Sequence, residues 1–447
     1  MPFWQKNTIK PAQIILLGFL AIIALGTVLL MLPISSQAWQ WTNPIDALFT
    51  ATSATCVTGL VVHDTATYWS LFGQVVILLL IQVGGMGVVT MAVLFSMITG
   101  QKIGLKQRWI MQESISAPQV GGILRQTRFI LQTAAAIEAI GALLLAIRFI
   151  PRFGVLRGLW YSVFHSVSAF CNAGFDLMGL ESQFSSLTAF TGDALIVLPI
   201  SLLIVLGGIS FLVWSDIRDY RFRWTSYSLQ TKLVLSTTGI LLLFGFLFFL
   251  YEFFQPQWAH LTVWERVMAA LFQSVTPRTA GFNTVDLTNL SEPGLLMTIL
   301  LMLVGGSTGS TAGGFKTTTL AVLLLGMIAV FRNKDHAEAF GRRLPPETTR
   351  NAIAIFMLYL LLFLAGGVLI CCIDGIPLMG ALFESSSAVA TVGLSMGYTP
   401  QLSAISQLIL IFLMYLGRVG GLTIMYAVVE QNFLGSVQLP QESVSVG

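Results

Sequence analysis

The sequence predicts an all-α integral membrane protein with eight transmembrane helices, built as four parallel copies of one helix–loop–helix unit. Two observations carry this fold class: an excess of apolar residues, and one short segment written four times. Of 447 residues, 55% are hydrophobic and only 10% charged, and the mean hydropathy is +0.82. Soluble domains carry about 25% charged residues, so the composition suits a bilayer. Several apolar runs reach the roughly twenty residues that cross a hydrocarbon core.

The first run, in "MPFWQKNTIKPAQIILLGFLAIIALGTVLLML", is too long for a signal-peptide core and ends without a small-residue cleavage site. It reads as a first transmembrane helix. The four similar segments are "ALFTATSATCVTGL" from Ala47, "SVFHSVSAFCNAGF" from Ser162, "ALFQSVTPRTAGF" from Ala270 and "ALFESSSAVATVGL" from Ala381. Each opens near a Phe, runs through small hydroxyl-rich residues, and ends in Gly plus a large apolar residue. The third copy is one residue shorter between Phe272 and Gly281. Gly59, Gly174, Gly281 and Gly393 recur roughly every 110 residues, the scale of one supersecondary unit each.

The flanks repeat too. Long apolar helices are expected before the segments, at 13–33, 129–149, 233–251 and 353–373. Others follow at 71–98, 193–214, 295–331 and 403–430, each with a glycine pair: Gly84-Gly85, Gly207-Gly208, Gly305-Gly306 and Gly420-Gly421. The units are therefore 1–100, 101–224, 225–332 with a broken second helix, and 333–447 with the C-terminal tail. Most of the 23 Lys and Arg residues fall in the N-terminus (Lys6, Lys10) and three inter-unit loops. Those loops carry Lys102, Lys106, Arg108, Arg125 and Arg128; Arg218, Arg221, Arg223 and Lys232; and Arg332, Lys334, Arg342, Arg343 and Arg350. Positive loops stay in the cytoplasm, which puts both termini inside and the four Gly-centred segments on the outer face. Arg148, Arg152 and Arg157 fall outside against that rule.

Several classes are disfavoured. A net charge of +3 gives no reason to expect nucleic acid. Cys56, Cys171, Cys371 and Cys372 have no metal-ligand or disulfide spacing. With no catalytic constellation the chain is not expected to be an enzyme, and no cofactor is expected in it. Acidic residues are nearly absent from the apolar runs, which disfavours an alternating-access carrier. Four non-helical loops at membrane depth must instead line a watery path, because unmet C=O groups there are costly. Four such loops about an axis make a helix–pore-loop–helix architecture around a central pore, with a ring of carbonyl oxygens able to replace the water around an alkali cation. The short helix before each loop would aim its negative C-terminal end at that ion.

With these loops, "PRTAGFNT" and "GGSTGSTAGGFKT", the chain resembles the KtrB-type membrane subunit of the Ktr/Trk/HKT superfamily of potassium and sodium transporters, over essentially its whole length. The resemblance implies channel-like potassium uptake with K⁺, and Na⁺ as a stimulating or transported ion. It implies a selectivity filter of Cys56, Val57, Thr58 and Gly59; Cys171, Asn172, Ala173 and Gly174; Arg278, Thr279, Ala280 and Gly281; and Ala390, Thr391, Val392 and Gly393. Sodium-favouring members carry Ser at the first of the four glycine positions; all four are Gly here. The resemblance also implies a homodimer in the cell membrane, among membrane lipids, controlled by a cytosolic ring of nucleotide-binding, KtrA-like subunits. The alternatives are a sodium-permeable transporter of the same plan and a cation-binding subunit of an energised pump.

The stretch "VGGSTGSTAGGFKTTT" nearly spells a phosphate-binding loop, but Phe315 intrudes before Lys316. Gly305, Gly306, Ser307, Thr308, Gly309, Ser310, Thr311, Ala312, Gly313 and Gly314 cannot hold a rigid helix, since each glycine costs about 1 kcal/mol against Ala. A broken membrane helix is a transporter feature, and the resemblance implies an intramembrane gate beneath the filter. Two charges stand out within the membrane, Lys316 and Arg418 in "YLGRVGG". Both are expected to face the path at similar depth, near one another, as part of that gate.

Overall fold

The computed structural model describes residues 11–88, 90–91, 123–180, 182–221 and 223–421. Lys6, Lys10, Lys102, Lys106, Arg108 and the C-terminal tail lie outside them. Among the described residues, four helices are long and apolar enough to cross a membrane, at mean hydropathies of 2.0 to 2.9. These are α1 (Pro11–Met31), α4 (Ile123–Phe153), α8 (Leu229–Phe253) and α12 (Pro346–Asp374), close to the expected first helices of the four units.

Each long helix is followed by a short one: α2 (Pro44–Thr55), α5 (Val155–Phe170), α9 (Val263–Val275) and α13 (Leu378–Val389). Their starts are set locally. Asn43 caps α2 through Ile45 N with Pro44 in the first turn, and Thr262 and Glu265 form a capping box on α9. The second helices are α3 (Leu71–Met86), α6 (Ala194–Gly208), α10 (Glu292–Leu303) with α11 (Thr317–Phe331), and α14 (Ala404–Val419). Each short helix packs on the long helix before it. Second helices also pack on the next unit's short helix: α3 on α5, α6 on α9, α10 on α13, and α14 back on α2. That order is cyclic, so the four units close on themselves.

Two expectations need correction. The sequence places the interruption in the third second-helix, but the others break as well. The chain turns by 95° between α6 and α7 (Phe211–Tyr220), and α3 and α14 end at Gly87 and Gly420 with φ of 86° and 89°. Only glycine enters that left-handed region without steric cost. Secondly, Gly420-Gly421 is not the partner of Gly84-Gly85. A Cβ on Gly84 would lie 1.9 Å from Thr55 O, and one on Gly207 1.9 Å from Phe170 O; in the fourth unit the matching contact is Gly417 on Val389 O, at 2.1 Å. The position is set by a side chain's absence against the last carbonyl of the short helix. "GGMG" (84–87) therefore matches "GRVG" (417–420), and Arg418 stands where the first unit has Gly85.

Candidate functional site

The four loops share one backbone design. Each short helix ends just before its loop, and the second loop residue is left-handed: Val57, Asn172, Thr279 and Thr391 have φ of 51°, 57°, 72° and 52°. Gly59, Gly174, Gly281 and Gly393 return to positive φ at 94°, 71°, 79° and 94°. In the shorter third loop the helix stops at Val275, and Pro277 and Arg278 fill the gap.

A hydroxyl at the end of each short helix ties the loop from behind. Thr58, Ala173 and Val392 donate N–H to the carbonyls of Ser53, Ser168 and Ser387, each at 2.8 Å, and Ala280 N reaches Thr276 O at 3.0 Å. Ser53 Oγ and Ser387 Oγ accept from Gly59 N and Gly393 N at 3.0 Å. Ser168 Oγ donates to Phe175 O at 2.7 Å and Thr276 Oγ1 to Phe282 O at 2.5 Å. Gly59 and Gly393 thus spend their N–H groups behind the loops, while the carbonyls of Thr58, Ala173, Ala280 and Val392 lie against the preceding loop's glycine in the cycle.

The ring they make follows from what a Cβ would meet. On Gly59 it would lie 2.5 Å from Ala173 O, on Gly174 2.8 Å from Ala280 O, on Gly281 2.6 Å from Val392 O, and on Gly393 2.1 Å from Thr58 O. The contacts run first to second, third, fourth and back to first. The side chains of Cys56, Val57, Thr58, Cys171, Asn172, Ala173, Thr279, Ala280, Ala390, Thr391 and Val392 are wholly buried. Each loop therefore presents its glycine to the vestibule, a space of about 330 Å³ that Asp64, Asp176 and Asp286 also line. Burial, and then the Asp64 charge, push the Asp176 carboxyl up to about 7, against a 2.9 Å hydrogen bond from Met178 N.

On the other side of the ring lies a space of about 250 Å³, lined by Gly85, Gly87, Thr308, Gly309, Ser310, Ala312, Gly314, Lys316, Tyr359 and Arg418. Residues 305–316 form a pinned loop: Gly305 N meets Phe315 O at 2.9 Å and Thr317 N meets Gly306 O at 3.1 Å. Ser307 N and Thr311 N donate to Gly208 O and Gly207 O at 2.9 and 3.2 Å, and Phe211 N donates to Gly309 O at 2.8 Å. The α6–α7 break thus receives this loop. A Cβ on Gly313 would lie 2.0 Å from Thr391 Oγ1, so the loop lies directly against the fourth Gly-centred loop.

Lys316 and Arg418 do line one space, as expected. Lys316 Nζ braces its own loop, donating to Ala312 O at 2.7 Å and Gly313 O at 3.1 Å. Arg418 spans units, donating to Thr311 O on the loop and to Gly85 O at 3.0 Å on α3. They are not the full set of buried charges, however. Arg278 extends its side chain behind the third loop to Thr238. Glu138 on α4 accepts from Gln82 Nε2 at 3.1 Å. Glu384, within α13, accepts from Ser395 Oγ at 2.7 Å and Met396 N at 2.9 Å. Arg148 pairs with Asp193 at 2.5 Å and Arg152 lies 4.5 Å over the Phe190 ring, which gives partners to two of the three basic residues that depart from the loop-charge rule. Among the described residues no group of three or more His, Cys, Asp or Glu could hold a metal.

The TrkH family, described as a cation transport protein, matches residues 5–436. The chain is 40% identical to the potassium/sodium uptake protein NtpJ of Enterococcus hirae, over 99% of this chain and 98% of that one. It is also 40% identical to the Ktr system potassium uptake protein B of Bacillus subtilis, with the same coverage. The crystal structure of the potassium transporter TrkH from Vibrio parahaemolyticus matches with a TM-score of 0.73 over 95% of this chain and 86% of that chain, at 18% identity, a likeness of fold. On the family match and these full-length relatives, the chain belongs to the TrkH family of cation transport proteins.

Proposed function

We propose that this chain takes up potassium through a channel-like pore, in which the backbone carbonyls of the four Gly-centred loops replace the ion's water. The observation that carries this is the closed cycle of Gly59, Gly174, Gly281 and Gly393, each against the next loop's carbonyl. A carbonyl oxygen at every junction of the ring makes oxygen the recurring chemistry there, which suits a monovalent cation. In this reading the four units supply eight spans, counting α10 with α11 as one, and the three vestibule aspartates concentrate cations at the outer mouth.

Residues 305–316, with Lys316 and Arg418, are the gate. The loop lies on the side of the ring away from the acidic vestibule, and Arg418 ties it to α3. A cation beside the path raises the energy of a passing ion, so releasing Arg418 and the loop together clears the path both sterically and electrostatically. Control falls to a cytosolic nucleotide-binding, KtrA-like subunit, in keeping with the Ktr system name of the relatives, and the membrane unit is a homodimer with both termini inside. A second reading, a pore that also passes sodium, draws on the name of the Enterococcus hirae relative. Rubidium and sodium uptake into vesicles, with and without a co-purified cytosolic partner, tests both. Rubidium uptake well above sodium is expected; equal uptake selects the second reading, and no uptake of either rejects the pore.

A further inference from the structure

Arg278 is a buried cation that the proposed gate does not use. It is 7% exposed, and its guanidinium touches Thr238 Oγ1 on α8 only at 3.4 Å. Its Nε has no partner among the described residues. A cation at this depth is costly unless its donors are met, so the spare donors call for an acceptor. Arg278 faces a void about the size of one water, shared with Gly208 at the end of α6 and Gly306 of the gate loop.

The acceptors at this end of α6 are occupied by the loop. Gly208 O takes Ser307 N at 2.9 Å, and Gly207 O takes Thr311 N at 3.2 Å and Thr311 Oγ1 at 2.9 Å. They end α6, where the 95° turn removes the next helical donors. Any motion that withdraws residues 305–316 strips both carbonyls at membrane depth, where unmet groups are heavily penalised.

We propose that Arg278 is the positioning residue of the open state, its guanidinium taking the Gly207 and Gly208 carbonyls as the loop leaves. This inference rests on the gate reading of residues 305–316. The latch belongs to the third filter loop itself, so gate position and filter are joined through one residue. The same loop meets the second through Thr279 Oγ1 and the Asn172 amide at 3.2 Å.

The test is rubidium uptake into vesicles holding the full chain, with R278M and R278K, alone and combined with deletion of residues 307–311. The deletion joins two residues that already lie side by side, since a Cβ on Gly306 would be 2.4 Å from the Ala312 Cβ. In the otherwise native chain R278M lowers uptake about ten-fold, the size of one charge-assisted hydrogen bond, and R278K recovers most of it. In the deleted chain the loss on R278M is several-fold smaller than in the native chain, because no closed state competes. Equal losses in both backgrounds would overturn the latch and make Arg278 an ordinary support of the filter. If R278M does not fold, R278Q takes its place, with the same outcomes. Deletion alone failing to raise uptake rejects the gate reading and the latch with it. A deletion that raises uptake while R278M is silent in the native chain rejects the latch alone.

Discussion

Replacing the four ring glycines with alanine, one at a time, should cut rubidium uptake in a definite order. At Gly393 the new Cβ would lie 2.1 Å from Thr58 O and 2.9 Å from Gly59 Cα. Carbon–oxygen contacts settle near 3.4 Å or beyond, so that carbonyl has to retreat by roughly 1 Å. At Gly174 the nearest atoms, Ala280 O and Gly281 Cα, are 2.8 Å away, and about half the displacement suffices. The left-handed backbone adds about 1–2 kcal/mol of strain at each site, near ten-fold in an equilibrium. Gly174→Ala should lose about ten-fold in uptake and Gly393→Ala at least ten times more, with Gly59→Ala (2.5 Å) and Gly281→Ala (2.6 Å) between. The displaced oxygens belong to the proposed ion sites, so sodium should compete better against rubidium in every variant. Uptake and sodium competition in vesicles, normalised to folded protein, are the readouts. Four equal losses, a reversed order, or unchanged competition at all four sites would refute the ring as the selective element.

Two other perturbations address the two sides of the ring. Arg418→Gln removes the cationic donors from Thr311 O and Gly85 O, and should raise basal uptake several-fold; an indistinguishable flux would make Arg418 a structural brace. Asp176 titrates near 7, raised by burial and by Asp64, so its negative charge is present above that pH and lost as pH falls through it. At limiting potassium, uptake should fall as outside pH drops from about 8 to about 6, and Asp176→Asn should be low and flat across that range. A pH response surviving in Asp176→Asn would place the titrating group elsewhere.

The loops were legible in the sequence because their chemistry is restrictive: positive φ and close approach demand glycine, and the tie behind each loop demands a hydroxyl. The four hydroxyls, Ser53, Ser168, Thr276 and Ser387, were visible only as general richness in Ser and Thr. The signal available was position: Ser53, Ser168 and Ser387 each lie two residues before the helix end, and Thr276 caps its helix just after Val275. The register of the fourth unit was misread because two glycine patterns sit three residues apart near Arg418. Only the contact with Val389 O decides between them. The direction of Arg278 was hidden for a related reason: a filter position fixes where a carbonyl goes and leaves the side chain undetermined. The break after α6 follows from Ser210, whose Oγ accepts from Leu212 N at 3.3 Å and starts a new helix; an apolar window averages over such a residue.

The ring closes between its most distant members, for Gly393 packs on Gly59 and α14 packs on α2. Three units therefore make an arc, with the first loop's carbonyls facing the gap. During synthesis the Gly59 loop is therefore made long before the Gly393 loop that completes its surroundings. A product that stops short of Gly393 leaves the Thr58 carbonyl without this neighbour, so the ring forms last of all the contacts between the four loops.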